Sequence, residues 1–323
     1  MDHKLLEIID LKKYFYFEKG LLNLMGSPKA IRAVDGVSFD IDRDEVCGLI
    51  GESGCGKTTL GKIMLNLYSP TEGIILYNGS EITGKKFSFD QRKKMQMIFQ
   101  DPFSSLNPVM TAKRILEVPL KIHMKYTREE RKEKLEELLK IVGIDPSYKK
   151  RYPHEFSGGQ RQRIVIARAL SVEPEIIIAD EPISKLDVSI QAQILNLLMD
   201  LQKKFRFSIL FISHDINVVR HISNRVIIMY MGEIVELGHK NDLFNNPLHP
   251  YTQALLSSVP QIDSRIKISE KKLLGGEPPS LFDPPRGCRF HTRCERCMEI
   301  CRHEKPEFMG FSNNHRVACH LYG

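Results

Sequence analysis

The chain has 323 residues, 42% of them hydrophobic, and a formal net charge of +7. That length holds one large domain with an appendage, or two smaller domains, and the apolar share excludes a disordered chain. The modest positive charge suits an acidic neighbour, lipid or nucleic acid, without demanding one, and no apolar run approaches the roughly 18 residues needed to cross a bilayer.

The start, Met1-Asp-His-Lys4, lacks the basic-then-apolar pattern of a secretory signal. A soluble chain made in the cytoplasm is therefore expected, with any membrane spans supplied by other subunits. Leu5–Leu11 and Val37–Ile41 alternate with a period near two and predict strands, separated by a variable stretch around Lys19–Lys29. Val46-Cys-Gly-Leu-Ile50 reads as a buried strand and Thr59–Leu67 as a helix. Between them lies Gly51-Glu-Ser-Gly-Cys-Gly-Lys-Thr58, which has the spacing of a P-loop. Gly51, Gly54 and Gly56 let the backbone bring its N–H groups close to phosphate oxygens. The positive end of the following helix faces the same phosphates. Lys57 supplies a point charge to the β- and γ-phosphates, and Thr58 a hydroxyl to Mg²⁺. Ser53, Cys55 and Thr59 complete the nucleotide-contacting run. Strand, loop, lysine, hydroxyl and helix in this order imply a nucleoside triphosphate ligand.

Thr71–Gly79 predicts another strand, closed by an Asn78-Gly79 turn, and joins the first two in an antiparallel layer. Thr127–Ile141 is an amphipathic helix: Thr127 and Glu130 make a capping box, Leu135, Leu138 and Leu139 an apolar stripe, and Gly143 a stop. The region 101–163 is expected to be largely helical. Apolar strands at Ile176–Ala179 and Ser208–Ser213 flank a helix over Ile190–Lys203, and this alternation implies a parallel sheet wrapped by helices. From about Asn245 the prolines at 247, 250, 260, 278, 279, 284 and 285 argue against long elements and mark a separate extension.

Four further motifs follow the P-loop in order. Met97-Ile-Phe-Gln100 is a strand ending in a polar residue; Phe156-Ser-Gly-Gly-Gln160 opens a basic helix, 161–170. Ile176–Glu181 delivers Asp180 and Glu181 at a strand end, and Phe211-Ile-Ser-His214-Asp215 ends the next strand with a histidine. A Ser-Gly-Gly turn can be a simple helix cap and a strand-end histidine a simple polar terminus. The ordered set, however, resembles an ABC-transporter ATPase subunit. The resemblance implies an α/β P-loop ATPase with a RecA-like core, an antiparallel β layer and a helical subdomain at about 101–165, together spanning 1–244. A small Cys-rich extension would occupy 245–323.

The residue types fit phosphoryl transfer, which needs neutralised charge and an aligned water. Asp180 is placed to hold Mg²⁺ through water, with Thr58 and Gln100. Glu181 is the candidate to orient or deprotonate the attacking water. His214 can hydrogen-bond the γ-phosphate, and Gln100 can reach both metal and water. By resemblance, Ser157, Gly158, Gly159 and Gln160 close over the γ-phosphate held by a facing ATPase subunit, and Asp187 crosses the same interface. Tyr14 is the candidate for stacking on adenine, with Phe15 and Phe17 as neighbours able to take the role; packing within the antiparallel layer is the bland alternative for each.

Beyond the shared motifs, Gln100-Asp-Pro-Phe-Ser-Ser-Leu-Asn-Pro108, Asn246-Pro-Leu-His-Pro-Tyr-Thr-Gln-Ala-Leu-Leu256, Gly276-Glu-Pro-Pro-Ser280 and Gly287-Cys-Arg-Phe-His-Thr-Arg-Cys294 are similar to segments of oligopeptide, dipeptide and nickel importers. The Gly-Cys-Gly-Lys loop and the Asp187–Ile194 run resemble the second of the two ATPases that such importers carry. This implies ATP-driven import of di- or oligopeptides, or of nickel or another small solute. The implied partners are a different ATPase in a heterodimer, two membrane permeases and, indirectly, an extracytoplasmic solute-binding protein. The chain would sit peripherally on the cytoplasmic face of the membrane. One cassette and no sustained heptads argue against an ATPase working on nucleic acid. Lys185 departs from the family, which usually has alanine there; it could reach the facing subunit or be solvated, the latter being the expectation.

Five of the seven cysteines fall between Cys288 and Cys319, which in a cytosolic chain suggests metal. They run Cys288-x5-Cys294-x6-Cys301-x17-Cys319, with Cys297 extra. Spacing leaves zinc open, because His291, His303, His315 and His320 are close by. The four cysteines resemble the pattern of this importer branch, whose extension can hold a [4Fe–4S] cluster. That resemblance implies a structural cluster whose charge Arg289, Arg293, Arg296 and Arg302 would offset. Its loss is expected to loosen the extension first. Nucleotide binding, far away in sequence, is expected to survive.

Overall fold

The computed structural model describes residues 4–17, 30–258, 279–312 and 315–323. The Lys19–Lys29 stretch, Pro260 and the Gly276–Pro278 part of the Gly-Glu-Pro-Pro-Ser segment lie outside them. In chain order come β1 (Lys4–Tyr16), β2 (Ala30–Asp42), β3 (Val46–Ile50), α1 (Lys57–Met64), β4 (Glu72–Tyr77) and β5 (Ser80–Glu81). Next are α2 (Phe89–Lys94), β6 (Met95–Ile98), α3 (Pro102–Ser105), α4 (Ala112–His123), α5 (Arg128–Ile141), α6 (Gly158–Leu170), β7 (Ile176–Asp180), α7 (Val188–Phe205) and β8 (Ser208–Ser213). The chain continues through α8 (Ile216–Ile222), β9 (Arg225–Tyr230), β10 (Glu233–His239), α9 (Lys240–Asn245) and α10 (Pro250–Ser257). It ends with α11 (Ile300–His303), β11 (Phe308–Ser312) and β12 (His315–Ala318).

Contacts divide the chain into two compact units. One contains residues 42–45 and 85–212. Its strands β6, β7 and β8 are parallel, with Met97 opposite Ile178 and Ile178 opposite Leu210. Every residue of β7 and β8 is buried, as continuous apolar runs require when both sheet faces are covered. The region from 101 to 163 is largely helical, as expected: α3, α4 and α5 lie in it and α6 begins there. Thr127 Oγ1 accepts from the Glu130 N–H and the Glu130 carboxylate from the Thr127 N–H, so α5 begins at its predicted capping box.

The other unit contains residues 2–41, 46–84 and 213–323, so the P-loop strand and the C-terminal extension share one compact body. An antiparallel sheet has the order β2-β1-β4-β5, with Ile8 opposite Ile75. Asn78 and Gly79 both have positive φ, 49° and 71°, which a two-residue hairpin turn demands. A second set of strands runs β11-β12-β10-β9-β3, with β3 parallel to β9 and the rest antiparallel. The β11–β12 hairpin was not predicted. It extends the extension onto β10, pairing Glu236 with Val317.

Candidate nucleotide-binding motifs and the cysteine loop

The P-loop joins β3 to α1. Gly56 lies at φ 110°, and a Cβ there would stand 2.0 Å from the Ala33 carbonyl oxygen; a Cβ on Gly51 would stand 2.1 Å from that of Met229. Glycine is therefore obligatory at both positions. No side chain caps the first turn of α1, whose leading residue is Lys57. Lys57 is buried and folds its ammonium onto its own loop, donating to the carbonyls of Gly51 at 2.7 Å and Glu52 at 2.9 Å. Cys55 is buried beneath it, and burial pushes its thiol pKa up despite the nearby Lys57 charge. Ser53 and Gly54 are exposed, and Thr58 and Thr59 half-buried. Tyr14 in β1 donates its hydroxyl to Asp35, and Phe15 packs edge-on to Tyr68. In the same unit His214 is exposed, next to Asp215, whose carboxylate caps α8.

In the other unit Asp180 is buried at the end of β7. Glu181 follows at φ 45°, a left-handed conformation that costs a non-glycine residue of order 1 kcal/mol or more. Its neighbours hold it there: its N–H donates to Ile212 O at 2.9 Å, its carbonyl accepts from Ser184, and its carboxylate accepts from Gln100 Nε2 at 2.8 Å. Two predicted catalytic residues, 81 positions apart, thus touch directly.

Ser157 caps α6 in a reciprocal box with Gln160, at 3.3 and 3.0 Å, so in this chain the Ser-Gly-Gly turn is a helix cap as well as an open N-terminus. A Cβ on Gly159 would stand 2.6 Å from Ile190 of α7, which explains the glycine by close packing. Asp187 is exposed at the start of α7, and its side chain makes no capping hydrogen bond. Lys185 is exposed, as expected of a solvated cation, and its ammonium lies 3.4 Å from Asp101 of the same unit.

In the extension, the Cys288 N–H donates to Cys301 O, and β12 ends next to Cys319. Burial pushes the Cys288 thiol up to about 12, and the charges of Cys301, Cys319 and Cys294 push the same way. Cys294 and Cys319 are also raised by burial first, and both feel Cys301. These thiols feel one another's charge, and Cys294 feels Cys297 as well. No group of three or more His, Cys, Asp or Glu among the described residues is drawn to the spacing that holds a metal ion. The four histidines that kept zinc open are each engaged: His291 with Cys288 O, His303 with Glu299, His315 with Glu236, and His320 with Glu304 O. The donor chemistry is thiol-rich and fits a thiolate-bound group in kind.

The arginines correct the sequence reading more sharply. The Arg296 charge only opposes the rise that burial causes at Cys294, and Arg302 lies 3.7 Å from Glu299. Arg289 and Arg293 turn away into carboxylates of the P-loop's own unit. Arg289 pairs with Asp35, with Glu233 at 3.2 Å and with the Met231 carbonyl. Arg293 grips Glu52, inside the P-loop, with both terminal nitrogens at 2.9 and 3.1 Å. Distance in sequence was a poor guide to isolation in space. Glu236 was missed altogether. Its buried carboxylate accepts from the N–H groups of Leu248 and His249 and from His315. It thereby explains the Asn246–Leu256 segment: His249 caps α10 through Nδ1, and Glu236 fixes its entry.

The family described as ABC transporter matches residues 34–184, and that described as oligopeptide/dipeptide transporter, C-terminal region, matches residues 235–301. The oligopeptide transport ATP-binding protein AppF of Bacillus subtilis is 54% identical, over 98% of this chain and 97% of its own. The dipeptide transport ATP-binding protein DppF of Escherichia coli is 44% identical, over 99% and 95%. Among solved structures, the dimeric post-hydrolysis state of the ATP-binding cassette MJ0796 bound to ADP and Pi superposes with a TM-score of 0.62. It is 29% identical and covers 73% of this chain and 98% of the cassette.

Proposed function

The chain belongs to the ABC transporter family of ATPases, with the C-terminal region of oligopeptide/dipeptide transporters, and from that footing we propose that it powers uptake of oligopeptides or dipeptides. Its likeness to AppF carries this reading, because it runs over 98% of the chain and includes the extension as well as the ATPase motifs. ATP and Mg²⁺ are the ligands of such ATPases. No helix among the described residues is long and apolar enough to cross a membrane. The reading also includes two permease subunits, a solute-binding protein outside the membrane, and a peripheral place on its cytoplasmic face. The test is uptake by the reconstituted complex of this chain with its partner subunits. ATP-dependent accumulation of a labelled di- or tetrapeptide is expected; accumulation of nickel without peptide would overturn the solute assignment.

In this reading the P-loop residues Gly51, Ser53, Gly54, Cys55, Gly56, Lys57, Thr58 and Thr59 bind the triphosphate. Tyr14 stacks on adenine, its edge anchored by Asp35. Thr58, Asp180 and Gln100 serve Mg²⁺. Glu181 orients the attacking water, with Gln100 holding its carboxylate, and His214 contacts the γ-phosphate. Ser157, Gly158, Gly159, Gln160 and Asp187 serve the nucleotide of a facing ATPase subunit, a different chain in a heterodimer. The exposure of Asp187 and of the neighbouring Val188, at 81%, supports an interface there.

Cys288, Cys294, Cys301 and Cys319 would hold a [4Fe–4S] cluster, which supplies a structural cross-link when bound. The chain's part is to offer four neighbouring thiols and give up their protons, which burial resists without a metal. Anaerobic purification should give a brown protein with about four iron per chain. A colourless protein carrying one zinc would overturn this assignment.

A further inference from the structure

The segment Gly287–Cys294 sends two arginine side chains into its own compact unit, Arg289 5% and Arg293 6% exposed. Burying a guanidinium is costly unless its donors are met, and here they are met by carboxylates. Arg293 makes the bidentate pair with Glu52, and its Nη1 also donates to the Tyr230 hydroxyl at 3.4 Å. Glu52 is a P-loop residue whose backbone is already engaged: its N–H donates to Tyr251 Oη at 3.0 Å, and its carbonyl accepts from Lys57. Arg289 pairs with Asp35, the carboxylate that also receives the Tyr14 hydroxyl. Two chains of contacts therefore leave one short loop. One ends on the phosphate-binding loop and the other on the aromatic assigned to adenine. Both arginines lie within one residue of a cysteine of the proposed cluster, and the loop's own backbone is tied by the Cys288 N–H to Cys301 O.

We propose that Arg293 and Arg289 are positioning residues for nucleotide, acting through Glu52 and Asp35, so that nucleotide affinity reads the state of the 287–294 loop. This rests on the P-loop being the nucleotide site. If the loop moves, Glu52 loses a bidentate partner while it carries Lys57 on its carbonyl, and Asp35, which accepts from Tyr14, loses its Arg289 partner and keeps Arg32 at 3.8 Å. By linkage, nucleotide must stabilise the loop as much as the loop stabilises nucleotide.

The test uses the full chain, titrated with Mg²⁺ and a non-hydrolysable ATP analogue, in the wild type and in Arg293→Gln, Glu52→Gln, the double variant and Lys57→Ala. Each single clamp variant should weaken binding about tenfold, and the double variant should be no weaker than either alone, as partners of one pair are non-additive. In parallel, amide hydrogen exchange over 287–302 should slow when the analogue binds the wild type and not when it binds Arg293→Gln. A merely structural staple would leave that ligand dependence unchanged. Glu52→Gln keeps the extension's arginine, so it carries the test if Arg293→Gln does not fold. Clamp variants that bind within twofold of wild type, with no ligand effect on 287–302, overturn the proposal. Wild-type binding by Lys57→Ala would instead overturn the P-loop reading.

Discussion

Glu181→Gln is expected to keep ATP bound and to lose turnover by roughly 10²–10⁴-fold, the usual contribution of a positioned general base. The replacement preserves shape. A glutamine carbonyl can still accept from Gln100 Nε2, which sits 2.8 Å from the present carboxylate, and the backbone contacts that hold φ at 45° involve main-chain atoms of residue 181. What changes is basicity and charge. Lys57 and the P-loop are untouched, so the analogue affinity should stay within a few-fold. Phosphate release by the assembled transporter is the measurement, and near wild-type turnover would remove Glu181 from the base role.

The second large effect concerns the extension. Glu236→Ala should destabilise it by about 3–5 kcal/mol, because a fully buried carboxylate leaves behind the unpaired N–H groups of Leu248 and His249 and the ring of His315. Hydrogen exchange of the α10 amides in the full chain reads this locally, which matters because a chain of two compact units need not unfold in one step. A loss below about 1 kcal/mol would show the network to be dispensable. The same region predicts an acid dependence. Burial lowers the His249 pKa from 6.5 to about 4, against the opposing pull of the Glu236 charge. Above pH 6.5 the imidazole is neutral folded and unfolded, so it contributes no pH slope. Between 6.5 and about 4 the unfolded chain takes up the proton first, and stability falls as pH falls, by about 3 kcal/mol in all. Protonation would also end the Tyr251 N–H to Nδ1 bond that caps α10. His249→Asn should keep a cap and flatten the profile in that window.

The parts legible in the sequence share a physical cause: their signals are local. The P-loop is eight consecutive residues, the α5 capping box spans four, and β7 and β8 announce themselves as unbroken apolar runs. The parts that were not legible are long-range. Arg289 and Arg293 reach partners 254 and 241 positions away, and no periodicity marks such pairs. The available signal was weak: two arginines bracketing Phe290, itself 3% exposed against Tyr230 and Tyr251, in a segment otherwise read for its cysteines. The β11–β12 hairpin was hidden for a different reason. Its strands include Gly310 and lack strict alternation, so it exists by pairing with β10 rather than by its own propensity.

The contact between Gly159 and Ile190 has a consequence for genetics. One residue opens the helix of the Ser-Gly-Gly turn, and the other lies in the first turn of the helix that follows Asp187. With 2.6 Å between the absent Cβ and the Ile190 methyl, any side chain at 159 must push α6 from α7 or displace Ile190. The two motifs are thus mechanically coupled at this contact. Where α7 yields rather than the Ile190 side chain, a lesion at 159 carries the neighbouring Asp187 turn with it, and a smaller residue at 190 is expected to relieve it.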